Sequence, residues 1–417
     1  MKIVHQVCCG VVVHKNFIVA TIASTNKNNI TTYLQKTFTT LNPELFAFRT
    51  WLLDNNCYDV CMESTGKYWI PVFNVLEASD IRVIIAHPKY VRSIKGKKTD
   101  KKDSKWIADL FKHDLVRSSF IPPKDIRALR EISRYRSKLV YMRTSEKNRY
   151  QNSMTVSNIG LGSVLVDSFG ITAQLIMGHI LTSDIPDEEF CLGLIQKAAK
   201  KKTDKIIESI RDCNISSDQR FKMNETKAHM DYLEQAIART EVELFVRIKP
   251  YFGLIELLTG IPGIKPLSGA IILSEIGVNM EVFESAGHLC SWAGLAPTNN
   301  ESAGKKKSTR ISKAGEFLKP LLVQCALGAI LCKRETYFAV KYKKIKKRRG
   351  HKKAIIAIAR MMLTCIYHMI KNGECFNPCD YQELSNSTPR VHKLTESVAI
   401  DFLAKSGYDI STLQKAV

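Results

Sequence analysis

The sequence predicts a mixed α/β domain at the N-terminus, followed by a chain that is helical almost to its end. Three observations carry that expectation. Two apolar, β-branched runs in residues 4–23 are separated by a short turn, and strand-like and helix-like patterns then alternate to about residue 113. Beyond Pro122-Pro123 the hydrophobic spacing changes to the helical period. At 417 residues the chain is too long for one ordinary core. The expected division is 1–123, 124–250 and 251–417.

The elements follow in order. Val4–Val13 and Phe17–Ala23 read as strands joined at His14-Lys15-Asn16, and Ile30–Thr37 as a third strand. Pro43–Leu53 reads as a helix, Asp59–Glu63 as a strand, Tyr68–Ala78 as a helix and Arg82–Ala86 as a strand. Asp103–His113 reads as a helix with Trp106, Ile107, Leu110 and Phe111 on one stripe. Lys124–Asn152 is long and basic, and Val164–Ile180 is apolar and reads as helical. Met230, Leu233, Ile237, Leu244 and Ile248 form a short heptad seam within 226–250. That seam fits a coiled coil or an ordinary helix packed on a core, and the helical middle is a natural dimerisation element. Leu254–Gly277 begins a further compact unit, and Lys341–Lys353 is a basic run ahead of a last helical region.

Composition bounds the function. With 45% hydrophobic residues the chain can bury real cores. A net charge of +22 and a pI near 9.4 point to a polyanionic partner, DNA or RNA. A merely soluble basic protein, or a ribosome-associated one, is the plain alternative. Met1–Gly10 lacks the pattern of a signal peptide. The longest apolar runs, Ala354–Ala359 and Met361–Ile370, are interrupted by Arg360, His368 and Lys371, so no membrane span and a cytoplasmic location are expected. Twelve cysteines read as reduced thiols, and neither Cys57/Cys61 nor Cys375/Cys379 has a second pair at zinc-finger spacing.

Three carboxylates stand where metal chemistry would want them. Glu63 ends an apolar strand, and Asp100 and Asp103, three apart, share a face at a helix start. Such hard oxygen ligands suit Mg²⁺, which activates a nucleophile and stabilises a leaving oxygen. The same two aspartates also fit a helix N-cap and a first-turn dipole partner. Lys97 and Lys98 are placed to reach phosphates.

Gly-Val-Val-Val-His-Lys at 10–15, Met-Glu-Ser-Thr-Gly-Lys-Tyr-Trp at 62–69 and Gly-Lys-Lys-Thr-Asp-Lys-Lys-Asp-Ser-Lys-Trp-Ile-Ala-Asp-Leu at 96–110 resemble the DEDD transposases of insertion sequences. These are serine transposases that act as bridge-RNA-guided recombinases. The resemblance spans nearly the whole chain. It implies an N-terminal ribonuclease-H-like (RuvC-like) domain whose acidic tetrad binds Mg²⁺, a helical or coiled-coil linker, and a mostly α C-terminal domain with a catalytic serine. One departure stands out. Where the family has an aspartate at the end of the first strand this chain has Val12, which cannot ligate a cation. A decayed copy and a deliberately inactivated protein both fit, and the intact remainder favours the second.

The C-terminal half adds two features. Leu257–Ile264 followed by Leu267–Ser274 resembles a helix-hairpin-helix whose Gly263 turn would offer backbone N–H groups to a phosphate, although Lys265 replaces the usual second glycine. A plain helix corner with Pro and Gly fits as well. The stretch from Ser291 to Lys305 is the second strong family match. By that resemblance Ser302 is the nucleophile that forms a phosphoserine link to cleaved DNA, with Ser291 and Ser308 as competitors. Lys305, Lys306, Lys307, Arg310 and Lys313 would clamp the phosphate. Lys341–Lys353 packs nine Lys/Arg into thirteen positions, Lys346, Lys347, Arg348 and Arg349 among them, and reads as a phosphate-contact helix or loop.

The resemblance further implies donor and target DNA as substrates, a structured bridge RNA that carries specificity by base pairing, and dimers that assemble to a tetramer on DNA. The setting it implies is bacterial or archaeal and nucleoid-associated. A metal-dependent nuclease or junction resolvase without serine chemistry is the alternative. A nucleic-acid-binding protein that has lost catalysis is the other.

Overall fold

The computed structural model describes residues 2–64, 66–86, 91, 99–183, 187–297, 300–302, 305–308, 310–333 and 336–378, with backbone alone at 197, 300–302 and 305–308. These fall into two compact units, Met1–Ile121 and Pro122–Val417.

In the first unit, β1 (Val7–Val13), β2 (Phe17–Thr25) and β3 (Thr31–Thr39) form an antiparallel meander. β4 (Asp59–Glu63) and β5 (Arg82–Ala86) then add in parallel beside β1, giving the order β3-β2-β1-β4-β5. Helices α1 (Asn42–Asp54), α2 (Trp69–Glu77) and α3 (Asp100–Lys112) connect and cover them. This mixed sheet is consistent with the ribonuclease-H-like expectation.

Strand alternation sorts β1 onto two faces. Cys9, Val11 and Val13 join Ile18, Ala20 and Ile22 in a core with Phe48 and Leu52 of α1 and Val72 and Leu76 of α2. Cys8 and Val12 join Cys61, Ala23 and Ala86 in a second core with Ile107, Ala108 and Phe111 of α3. β1 begins three residues later than its composition predicts. Val4 and His5 instead donate their N–H groups to the Lys112 carbonyl, satisfying the end of α3. Between the two cores' cysteines there is no shared ligand set: Cys57 lies in the first and Cys61 in the second, and burial pushes both thiols up to about 12.

The second unit is built on two long helices, α4 (Lys124–Val156) and α9 (Ser217–Arg247). Arg136 pairs with Glu241 at 2.6 Å, Arg143 with Glu234 at 3.7 Å, and Glu146 with His229 at 3.2 Å. One partner falls along the chain as the other rises, so the helices run antiparallel. Leu233 and Ile237 of the heptad seam pack on Leu139, and Met230 shares a core with Tyr150 and Met154. The seam is therefore used inside the chain.

Between these two helices lie α5 (Leu161–Val164), α6 (Ile171–Thr182), α7 (Glu188–Leu194), a 3-10 turn at Lys197–Lys202 and α8 (Thr203–Glu208). The apolar stretch 164–180 is not one helix. Asp167 interrupts it by accepting from the Phe169 N–H (2.9 Å), a local turn that competes with helix.

The rest comprises α10 (Phe252–Thr259), α11 (Pro266–Ile276), α12 (Ala286–Trp292), a backbone hairpin of β6 (Asn300–Ser302) and β7 (Lys305–Ser308), then α13 (Leu318–Ile330), α14 (Tyr337–Arg349) and α15 (His351–Asn372). Among the described residues α15 alone is long and apolar enough to cross a membrane, but it is the core helix of this part. Its Ala354, Ile358, Met362, Leu363 and Ile366 are buried, and Tyr367 donates to the Phe283 carbonyl (3.2 Å).

α11 is fixed to α4 by a buried charge cluster. Glu275, 2% exposed, accepts two bonds from Arg134 (2.7 and 2.8 Å), and Arg130 donates to the Ser274 and Glu275 carbonyls. Burial, outweighing the Glu275 charge, lowers Arg130 to about 10, still fully charged at neutral pH. Replacing the carboxylate while keeping its shape removes the buried anion shared by the largely buried Arg130 and the half-buried Arg134. Glu275→Gln should therefore cost about 3 kcal/mol in urea unfolding. An unchanged midpoint would show that the cluster contributes nothing net.

Candidate nucleic-acid processing sites

The acidic candidates lie toward one end of the first sheet. β1 and β4 are parallel with Val11 opposite Met62, so positions 12 and 63 lie side by side at the strand ends. Gly10 pairs with Cys61, and both 12 and 63 lie two residues further on, so both face α3. α3 begins over this end, three residues earlier than its hydrophobic stripe indicates. Its cap is Thr99, whose hydroxyl accepts from the Lys102 N–H (3.3 Å), rather than Asp100. Asp100 and Asp103 thus occupy the first turn. Glu63, Asp100 and Asp103 are half-buried, and Val12 is only 8% exposed.

The helix is held to the sheet with little room to move. A Cβ built on Gly10 would stand 2.3 Å from both the Ser104 carbonyl oxygen and the Ala108 nitrogen. Only glycine permits that backbone approach. Beneath the first turn, Ser104 and Thr21 share a hydroxyl bond (2.7 Å), and Gln35 of β3 donates to Thr21 (2.7 Å) and to the Lys101 carbonyl (2.8 Å). Tyr33 donates to Asp109 (2.6 Å) further along the same helix. At the other side, His14 Nε2 lies 3.0 Å from Asp100 Oδ1, which sets the turn after β1 beside the start of α3.

A divalent cation needs several oxygens converging within about 2–2.6 Å of one point. The end formed by residues 12, 63, 100 and 103 offers carboxylates from three of the four and methyl groups from the fourth. Among the described residues, no three His, Cys, Asp or Glu side chains stand close enough to share an ion. The donor set of this chain does not form a closed metal cage: Glu63, Asp100 and Asp103 do not converge on one point, and Val12, in the apolar core with α3, supplies no ligand. The buried thiols nearby are no substitute, since desolvation raises Cys8 and Cys61 to about 12.

Lys97 and Lys98 lie outside the described residues. His14 and Gln35 were not among the sequence candidates. His14 carried a signal in its place directly after the first strand, and Gln35 in the strand alternation of β3.

In the second unit, the helix corner at Gly263 is a tight turn closed by the Ile264 N–H on the Ile261 carbonyl (3.1 Å). Pro262 precedes Gly263, whose φ is +91°, the residue choice of a type II turn. A Cβ there would meet the Cys325 carbonyl of α13 at 2.2 Å. Packing against α13 by itself requires the glycine. Gly263 itself and Lys265 beside the turn are exposed.

The region of Ser302 grows from a second close approach. Gly294 and Gly315, both with φ near +70°, cross so tightly that a Cβ on either would fall 2.1–2.4 Å from the carbonyl of Ala293 or Ala314. Lys319 donates to the Ser312 and Ala314 carbonyls at 2.8 Å each. Pro297 and Ile311 bridge next. β6 and β7 then pair antiparallel, with Ser302 opposite Lys305, Glu301 opposite Lys306 and Asn300 opposite Ser308. The backbone thus brings Ser302 and the lysines 305–307 to one hairpin. Arg310 and Lys313 at its base are exposed. Ser291 lies apart, on α12.

The basic run is two helices rather than one arm. Gly350, with φ +78°, ends α14 and begins α15. Lys346, Lys347, Arg348 and Arg349 fill the last turn of α14, where cations also complement the helix dipole.

A mixed sheet with carboxylates toward one end and a lysine-rich hairpin in a helical second unit are in keeping with a transposase, and similarity to known proteins shows that class. A DEDD transposase model of the IS110 type matches residues 9–158. A model described as transposase IS116/IS110/IS902 family matches residues 255–343. The chain belongs to these DEDD-type insertion-sequence transposases. It is 22% identical over 325 residues to a probable family 20 transposase of Pseudomonas aeruginosa, covering 76% of this chain and 86% of that one. It is 29% identical over 125 residues to an uncharacterized 42 kDa protein of insertion element IS900 from Mycobacterium paratuberculosis, about a third of each chain. A similar stretch of 119 residues, 28% identical, relates it to an uncharacterized 43.6 kDa protein of insertion element IS110 from Streptomyces coelicolor.

Proposed function

We propose that the parent activity of this transposase is cleavage and rejoining of donor and target DNA through Ser302, guided by a structured bridge RNA. The observation that carries the reading is the pairing of Ser302 with Lys305 in a lysine-rich hairpin, within a segment matched by the transposase family. A serine oxygen beside cationic groups can attack a held phosphodiester, and the resulting serine–phosphate bond keeps the energy for rejoining. Lys306, Lys307, Arg310 and Lys313 would hold the phosphate. Gly263 and the last turn of α14 would contact backbone without reading bases.

The acidic end belongs to the same proposal as a Mg²⁺ site in the family's form, from which this chain lacks the ligand at 12. The protein in hand is then an RNA- and DNA-binding transposase with impaired chemistry. It would act as a dimer, tetrameric on DNA, in the cytoplasm of a bacterial or archaeal cell beside the nucleoid. With the α4–α9 seam already filled within the chain, the dimer contact falls on other surfaces. The three-part division at 123 and 250 is read the same way, with α4 and α9 linking a metal domain to a serine domain.

Purification without nuclease, followed by sequencing of the bound nucleic acid, tests the guided reading. One discrete structured RNA is the expected result. A random mixture of host RNA would reduce the interaction to charge attraction.

A further inference from the structure

The last turns of α4 and the short helix α5 line an open cavity of about 520 Å³ that none of the chemistry above uses. Three side-chain amides line it: Gln151, Asn152 and Asn158. All three residues are exposed, and no hydrogen bond within the described residues engages their amides, which leaves donors and acceptors accessible. Met154 and Ile159, both buried, supply apolar walls. Gly160 and Gly162 and the hydroxyls of Thr155, Ser163 and Ser168 make up the rest of the lining.

The cavity is preformed. Asn158 takes φ +54° with its N–H on the Thr155 carbonyl (3.1 Å), and Ile159 donates to the Met154 carbonyl (2.9 Å). Gly160 donates to the Ser209 carbonyl (2.7 Å), fixing the rim to the end of α8. Lys202 Nζ donates to the Val164 carbonyl (2.7 Å), which brings the Lys197–Lys202 turn against the C-terminal end of α5. Lys200, Lys201 and Lys205 on that turn and on α8 are exposed.

We propose that this cavity receives an unstacked nucleobase of a single-stranded nucleic acid, with the neighbouring lysines on its phosphates. The lining carries no charged side chain and so offers no counter-charge to a phosphate or a cation. Asn and Gln amides present the donor–acceptor pair that base edges match, and apolar side chains suit the faces of a planar ring. A base inside a duplex cannot enter a recess, so the site selects loops, bulges and displaced strands. The inference rests on the reading of this chain as a nucleic-acid protein and adds a place and a strand state to it.

The test is fluorescence anisotropy on the full chain with a labelled single-stranded RNA 12-mer, a DNA strand of the same sequence, and the corresponding duplex. Replacing the amides (Gln151→Ala, Asn152→Ala, Asn158→Gly, the last keeping the left-handed backbone) should weaken single-strand binding about tenfold. Duplex binding and the dependence on salt should not change, because no phosphate contact is lost. Lys200→Ala with Lys201→Ala and Lys205→Ala should instead flatten the salt dependence, by roughly 0.7 in the log–log slope for each contact removed. The RNA and DNA arms identify the natural source of the base. Photocrosslinking of 4-thiouridine RNA to the unaltered chain gives a check free of folding effects, with the adduct expected in residues 151–163. Unchanged single-strand affinity in the amide variant, an equal loss on duplex, or adducts confined to other peptides would overturn the proposal. Failure of the unaltered chain to bind any oligonucleotide would instead sink the parent reading.

Discussion

Val12→Asp should destabilise the N-terminal unit by about 3 kcal/mol in the absence of divalent cations, and Mg²⁺ should restore most of that loss. Position 12 is 8% exposed among Cys8, Ile107 and Phe111, and its neighbour across the sheet is Glu63. A carboxylate there is desolvated and repelled by like charge, a combination that costs several kcal/mol when nothing compensates it. For a unit of this size the loss corresponds to a fall in Tm of roughly 10 °C. A cation that binds the native form at a hundred times its Kd returns about 2.7 kcal/mol by mass action. The protein as it stands should show no such response. The measurement is thermal unfolding of both proteins across a Mg²⁺ titration, with DNA strand cleavage followed in parallel. Cleavage should rise in the aspartate variant, and parallel Tm curves would show that position 12 is not a ligand site.

In the Val12→Asp background, a covalent protein–DNA adduct should form and should disappear with Ser302→Ala. In the proposed step the serine oxygen displaces one deoxyribose oxygen at phosphorus, and the serine proton leaves with the freed hydroxyl end. Loss of a nucleophile typically removes a thousandfold or more of activity, so the adduct should fall below detection. Ser308→Ala is the control, since Ser308 stands opposite Asn300 at the other end of the short ladder. End-labelled DNA on a denaturing gel, with mass spectrometry of the attached peptide, reads the outcome. An adduct that survives Ser302→Ala, or clean hydrolysis with no adduct at any time, would favour a nuclease without serine chemistry.

The sheet was legible because its signals are local. Alternation in β1 and β2 and the turn at His14-Lys15-Asn16 define strands whatever lies around them. The place of Asp100 and Asp103 in the first turn of α3, which packs on β1, was legible from their spacing. What fixes that packing was hidden, because it depends on contacts distant in sequence. Gly10 against Ser104 and Ala108, Gln35 on the Lys101 carbonyl, and His14 beside Asp100 each join residues 66–98 positions apart. The heptad seam was visible, but a periodic face does not name its partner, and here the partner is α4. The crossing of Gly294 and Gly315 was missed for a similar reason: each glycine alone reads as a turn, and only the pair makes a clamp.

The antiparallel pair of α4 and α9 also sets a ruler. Arg130, where α4 is bound to α11, and Asn152, at the nucleobase cavity, lie on one uninterrupted helix. At 1.5 Å per residue they are roughly 33 Å apart. That is close to one turn of a double helix, about ten base pairs. A nucleic acid that touches both ends of this unit must therefore reach across that span, so oligonucleotides much shorter than a helical turn can occupy one end or the other but not bridge them.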